Sequence, residues 1–304
     1  MKRRVVFIVN SSRRLKESMR DVIDRASLLE EISVEIIYTE RSKHATEIAR
    51  NEANSGSEVL IAVGGDGTCN EVINGIMGSS NHDVVFGILP NGTGNDFHRM
   101  LGNFDADIFL EGLQNRKFRK IDLCELTQNG IKTYALNIAG TGFDGHVIKL
   151  LTQQRKKWNM KGKFSYTTAI ARAFFSYKKP TVRIVSDEFT YEGKMLLLAV
   201  CNGSTFGHGL QIQPGAKFDD GLLNIALFGK VSLIDYVRNL SKLKKGIYTE
   251  HPEVTYFSTK EVEIQKTDGV IYCEADGELV GQGTLKFRIV PAAIHLLEVN
   301  YIKD

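Results

Sequence analysis

The stretch LIAVGGDGTCNEV, from Leu60 to Val72, falls from an apolar run straight into Gly64-Gly65-Asp66-Gly67-Thr68. Glycines at the end of a strand let backbone N–H groups close around an anion, and a helix opening behind them adds its dipole. Thr68 supplies a hydroxyl donor. A carboxylate amid such a cradle repels a bare phosphate, but a divalent cation between Asp66 and the phosphates reverses that repulsion. The loop therefore predicts a metal–nucleotide complex. A second turn of the same kind, LPNGTGNDFHR, holds Gly92-Thr93-Gly94 and leads through Asn95-Asp96 into a helix.

Commoner phosphate chemistries are excluded by residue type. Asn70 stands where a dinucleotide-binding turn needs Gly or Ala, and no βα unit follows with a suitably placed acidic partner for a ribose. There is no G-x-x-x-x-G-K-[ST], no G-x-S-x-G and no H-E-x-x-H. His98-Arg99 is followed by Met100, not by the aspartate of a protein-kinase loop.

The surrounding elements must hold these loops. RVVFIVN, SVEIIYT, EVLIAVGG and VVFGILP read as strands, alternating with helices over Ser12–Glu31, Ala45–Ala53, Asn70–Met77 and about Asn95–Leu101. That alternation means a parallel sheet covered on both faces, which binds ligands at the carboxyl ends of its strands. Asn10, Thr39 and both glycine turns fall at those ends, so the two turns are expected to face one crevice. From about Leu123 the texture changes to short β-rich segments such as TYALNIAG, MLLLAVCN and TLKFRIV. Tyr166–Phe175 and Leu233–Lys244 break it with helical spacing. The expected organisation is an α/β domain over residues 1–125 and a mainly antiparallel β-rich domain over 126–290, with a cleft between them. Residues from about 291 are candidates to rejoin the first. An exposed β-edge in the second domain would permit a homodimer.

Composition narrows the partners. The 304 residues are 42% hydrophobic and 25% charged with a net charge of +3, too weakly basic to expect nucleic acid. Cys69, Cys124, Cys201 and Cys273 are scattered and form no C-x-x-C, which predicts reduced thiols and no zinc site. No apolar run is long enough to span a bilayer. The stretch RKKWNMKGK, Arg155–Lys163, sets five cations around the single tryptophan. Its plain reading is a solvated face, and its functional one is contact with an anionic membrane surface.

GGDGTCNEVINGI followed by GILPNGTGNDFHR resembles the diacylglycerol kinase catalytic domain, in the bacterial soluble branch that includes relatives of sphingosine kinase. The similarity continues in order through NIAGTGFDGHV, PGAKFDDGLLNI, HPEV and CEADGE. NAD kinases and phosphofructokinases carry loops similar to GGDGT and imply the same kind of α/β domain. The G-T-G-N-D-F block separates the lipid branch from them.

The resemblance implies an ATP- and Mg²⁺-dependent kinase acting on the hydroxyl of diacylglycerol or a related lipid alcohol, cytoplasmic and peripheral at the inner membrane face. ATP would be held by Asn10, Thr39, Gly64, Gly65, Asp66, Gly67, Thr68, Asn70 and Glu71, and by Gly92, Thr93 and Asn95. Asp66 and Asp96 would handle the metal, and Glu278 in EADGELV would take the alcohol proton as the new bond forms. A second Mg²⁺ would sit in KFDDGLL, on the Asp220 carboxylate and the carbonyls of Lys217 and Leu222. On residues alone that stretch is a hairpin turn, Glu278 an exposed turn residue, and Asp66 and Asp96 helix caps. Relatives carry N-P-x-[SA]-G after the first strand, where this chain has Asn10-Ser11-Ser12-Arg13-Arg14. A different turn is expected there, with Arg13 or Arg14 as a phosphate donor. Two other functions stay open: an NAD-kinase-like phosphotransferase with a soluble substrate, and a nucleotide- or lipid-binding regulator without catalysis.

Overall fold

The structure is a computed structural model that describes residues 2–158, 162–207 and 209–298, and their side chains except those of 162–164. Two units divide the chain. Met1–Leu123, Gly207–Gly209 and Pro291–Asp304 form one, and Cys124–Phe206 with Leu210–Val290 form the other.

The first unit alternates strands and helices: β1 (Arg3–Val9), α1 (Glu17–Ser27), β2 (Ile32–Tyr38), α2 (His44–Asn54), β3 (Val59–Gly64), α3 (Asp66–Met77), β4 (Val85–Pro90), α4 (Asp96–Met100) and α5 (Ala106–Asn115). The strands lie in the order β2-β1-β3-β4 and are all parallel. Every residue of β3 is buried, as both-face coverage of a parallel sheet requires. The order reverses at β1, so the carboxyl ends of β1 and β3 flank a topological switch point.

Two helix starts differ from expectation. The first helix begins at Glu17 and not at Ser12, because the preceding residues are tied as a turn: Ser12 N–H donates to Asn10 Oδ1 at 2.9 Å and Lys16 N–H to Asn91 Oδ1 at 3.1 Å. The helix after β3 begins earlier, at Asp66 with Gly65 as its cap, so half of the glycine loop is already helical. The unanticipated α5 is opened by Asp105, whose Oδ1 accepts from Asp107 N–H and Ile108 N–H.

In the second unit the chain runs through β5 (Phe118–Gln128, whose start belongs to the first unit), β6 (Ile131–Ala135), β7 (Ile138–Gly142), α6 (Phe143–Trp158), α7 (Gly162–Ser176), β8 (Thr181–Ser186), β9 (Thr190–Lys194) and β10 (Leu197–Cys201). There follow β11 (Thr205–Phe206), β12 (Leu210–Gln211), β13 (Leu223–Phe228), α8 (Leu233–Lys244), β14 (Val254–Thr259), β15 (Glu261–Asp268), β16 (Tyr272–Ala275), β17 (Glu278–Gln282) and β18 (Leu285–Leu297). A six-stranded antiparallel sheet has the order β14-β13-β10-β7-β16-β17. One of its faces packs Val200, Ile225 and Cys273 against Ile184, Val262 and Phe287 from β8, β15 and β18, which makes a sandwich. Its other face is covered by α6, α7 and α8, with Leu151, Ala169 and Tyr236 against Leu197, Ala226 and Phe228.

The helix α8 spans the expected residues, whereas α6 was not foreseen. Arg155 to Trp158 of the basic stretch end α6, and residues 159–161 lie outside the described residues. Lys157 Nζ and Arg172 Cζ each stand 5.4 Å from a half-exposed Trp158 ring. The four cysteines are buried and free. Among the described residues no helix is long and apolar enough to cross a membrane.

Candidate active site

At the end of β1 the turn without Gly or Pro is closed by its own side chains. Asn10 Nδ2 donates to Thr68 Oγ1 at 2.9 Å, while Asn10 Oδ1 accepts from Ser12 N–H and the Ser12 hydroxyl. This is an Asx turn, the form in which Asn mimics a backbone bend. Ser11 N–H donates to Thr39 Oγ1 at 3.3 Å and the Ser11 hydroxyl to the Thr39 carbonyl, linking the end of β2. Arg13 donates from its guanidinium to Thr93 Oγ1, a bridge from this turn to the second glycine loop.

The two glycine loops touch backbone to backbone. A Cβ on Gly92 would lie 2.4 Å from Gly65 Cα, a distance no side chain can occupy. Asn95, in the left-handed region at φ 51°, closes its loop by accepting from Gly92 N–H at 3.1 Å and donating to the Gly92 carbonyl at 3.2 Å. Beside Gly94 two carboxylates converge: the point its Cβ would occupy is 2.9 Å from Asp66 Oδ2 and 3.6 Å from Asp96 Oδ2.

Neither aspartate is a helix cap. The caps are Gly65 and Asn95. Asp66 Oδ1 accepts from Phe97 N–H at 3.3 Å, and Asp96 Oδ1 from Gly209 N–H at 3.1 Å. Burial raises the Asp66 carboxyl above the usual carboxylate range, and the Asp96 charge raises it further. Paired hard oxygens that penalise each other's charge suit a Mg²⁺ ion, which takes one or two carboxylates and completes its shell with phosphate oxygens and water. Among the described residues no group of three His, Cys, Asp or Glu side chains could hold a metal alone.

Other predicted residues take supporting positions. Thr39, Thr68 and Asn70 are buried, and Asn70 Oδ1 accepts from Asn74 Nδ2 at 3.2 Å. Glu71, expected beside the nucleotide, also anchors a neighbouring element. Its two carboxylate oxygens accept from Lys43 N–H at 2.9 Å and Ala45 N–H at 3.1 Å, so it pins the start of α2. His98 is buried behind the second loop with Nε2 lacking a hydrogen-bond partner among the described residues, and burial lowers its pKa to about 4.

In the second unit, Glu278 is exposed at the start of β17, after the two-residue turn Asp276-Gly277 with φ values of 49° and 82°. That geometry is a type of hairpin that Asp-Gly favours. Asp276, not among the residues that the sequence singles out, accepts from the N–H groups of Leu136, Asn137 and Ile138 at 2.8, 2.9 and 3.2 Å. It thereby fixes the hairpin tip that carries Glu278. The signal was present as the Asp of D-G-E, but its long-range partners were not. Asp220 lies in an exposed turn and accepts from Leu222 N–H at 3.0 Å, with Lys217 exposed beside it. This is the Asx geometry of the plain turn reading.

Residues 4–126 match the family model described as the diacylglycerol kinase catalytic domain, and residues 137–298 that of the YegS C-terminal NAD kinase beta sandwich-like domain. A Staphylococcus epidermidis diacylglycerol kinase is 30% identical over 247 residues, covering 80% of this chain and 75% of that protein. A Staphylococcus saprophyticus diacylglycerol kinase is 28% identical over 99% of this chain and 96% of its own length. In fold, a diacylglycerol kinase from Bacillus anthracis superposes with a TM-score of 0.70 at 20% identity, covering 97% of this chain and 96% of that one. An Archaeoglobus fulgidus NAD kinase, solved in complex with ATP, gives 0.56 at 12% identity over 98% of this chain and 94% of that one.

Proposed function

This chain belongs to the diacylglycerol kinase family and is a lipid kinase, and from that premise we propose that it transfers the γ-phosphate of ATP, with Mg²⁺, to the hydroxyl of diacylglycerol. The observation that carries the nucleotide and metal reading is the convergence of Asp66 and Asp96 beside Gly94, where the glycine loops after β3 and β4 meet next to the switch point.

The residues present fit both groups. The N–H groups at the start of α3 and the Thr68 hydroxyl receive phosphate oxygens, with Arg13 closing over them from the turn after β1 and Thr93 from the second loop. Mg²⁺, when bound, neutralises charge on the transferring phosphoryl group and on Asp66 and Asp96. Glu278, on a tip held by Asp276, takes the proton of the lipid hydroxyl as the bond forms. Asn10, Thr39 and Asn95 hold the loops in shape, so little rearranges when the nucleotide enters. Contact with an anionic membrane through Arg155–Lys163 and a metal in the Asp220 turn, on the carbonyls of Lys217 and Leu222, belong to the same reading.

The test is an assay with labelled ATP, Mg²⁺ and mixed micelles of diacylglycerol. Labelled phosphatidic acid is expected, with Asp66→Ala lowering kcat at least about a hundredfold and Glu278→Gln by a similar factor. Label appearing on NAD in place of lipid, or ATP bound without transfer, would reject it.

A further inference from the structure

The helices that cover the six-stranded sheet carry apolar residues on the side that faces away from it. On α8, Tyr236, Leu240 and Leu243 turn inward to the core. Ile234 and Val237 look outward, 54% and 49% exposed. The helix ends at Lys244 and the chain bends at Gly246, φ 66°, where Ile247 N–H bonds back to the Lys242 carbonyl at 3.1 Å. That bend leaves Ile247 and Tyr248 49% and 43% exposed. A helix apolar on both sides normally has a second neighbour, and contiguous exposed apolar surface marks an interaction site. Around these residues stand Arg238, Lys242, Lys244 and Lys245, all exposed. The one acidic residue of the helix, Asp235, lies 3.5 Å from Arg238.

We propose that the outward face of α8, with the bend that follows it, docks this protein on an anionic lipid bilayer. Ile234, Val237 and Ile247 enter the boundary between headgroups and acyl chains, while Arg238 and the lysines extend to lipid phosphates. Charge selects this occupant over a second copy of the chain, because a self-complementary contact would set the same cations against each other. The surface differs from Arg155–Lys163, and it deepens the lipid-kinase reading by naming how the enzyme meets the surface that holds its substrate.

The full chain is sedimented with phosphatidylcholine vesicles, with and without phosphatidylglycerol. Binding is expected to phosphatidylglycerol vesicles and to weaken with salt. Replacing Arg238, Lys242, Lys244 and Lys245 together by Ser is expected to weaken it at least about a hundredfold. Ile234→Ser with Val237→Ser is expected to weaken what persists at high salt. Thermal unfolding checks that both variants are folded. Both should keep phosphoryl transfer to a short-chain diacylglycerol dissolved as monomers, since that needs no bilayer. A wild type that lacks that transfer but binds vesicles rejects the kinase reading and leaves docking intact. Wild-type protein that ignores phosphatidylglycerol vesicles, or variants that bind as tightly as wild type, overturns the proposal. So does a dimer in sedimentation equilibrium that Ile234→Ser dissociates.

Discussion

Arg13 reaches Thr93 from a turn that its own side chains close, and Arg99 donates from Nε to the Gly94 carbonyl at 2.8 Å on the same loop. Asp96 Oδ1 lies 3.9 Å from that Arg99 Nε, and Asp66 lies with it beside Gly94. A triphosphate entering there needs more positive charge than one dication and the loop amides supply, and a guanidinium meets phosphate oxygens in a fork that an ammonium cannot reproduce. Arg13→Ala is therefore expected to raise the KM for ATP about tenfold with little change in kcat, and Arg13→Lys to recover part of the loss. An unchanged KM would remove Arg13 from the nucleotide site. Much of this constellation is legible in the sequence, since glycines and an aspartate at strand ends announce themselves by type. What closes it is not. Asn91 accepts from Lys16 N–H, Glu71 pins α2, and Asp276 collects three amides from the start of β7 and the residues before it, all across long sequence separations.

The legibility of the elements follows from what each buries. Strands β1, β3 and β4 read clearly because burial on both faces makes them continuous apolar runs, and α8 because its core stripe keeps helical spacing. The start of α6, in NIAGTGFDGHV, gives no helical signal in the sequence because glycines surround it. Gly145 sits in its first turn, where a Cβ would come within 2.1 Å of the Tyr272 carbonyl oxygen. That glycine marks a helix packed against β16, not a bend. Asp144 opens the same helix, near Glu274 across Gly140. Burial raises its pKa to about 7, and burial also raises Glu274, with the Asp144 charge adding to it. A carboxyl with a raised folded pKa contributes stability below its unfolded value of about 3.9, and loses it as pH climbs through the folded value. Asp144→Asn removes that loss. Relative to wild type it is expected to gain on the order of 2 kcal/mol between pH 5 and pH 8. Thermal unfolding at both values measures the difference, and an equal shift at the two would show that Asp144 does not titrate in this range.

At the scale of the whole molecule, the last strand divides its residues between the units. Leu285–Val290 belong to the second, where Leu285 and Phe287 are core, and the chain from Pro291 belongs to the first. There His295 and Leu296 pair in parallel with Val85 and Phe86 of β4, Ile294, Leu296 and Leu297 are each 1% exposed, and Glu298 N–H donates to the Lys117 carbonyl at 3.0 Å. The first unit is thus completed by a segment that follows the whole second unit in sequence. Each of these three side chains contributes ~1.5–3 kcal/mol by burial, together on the order of the net stability of a whole domain. A chain ending at Val290 is therefore expected to leave β4 unpaired on one edge and the first unit unfolded or molten. The second unit keeps its sandwich core, because every residue in that cluster precedes the cut. Hydrogen exchange on the truncated chain reads the two outcomes separately. Amides of β3 and β4 are expected to exchange freely while those of β10 and β13 stay protected, and ATP with Mg²⁺ should no longer raise the melting temperature. Full protection of β4 in that chain would mean that the parallel sheet is stable without its final strand.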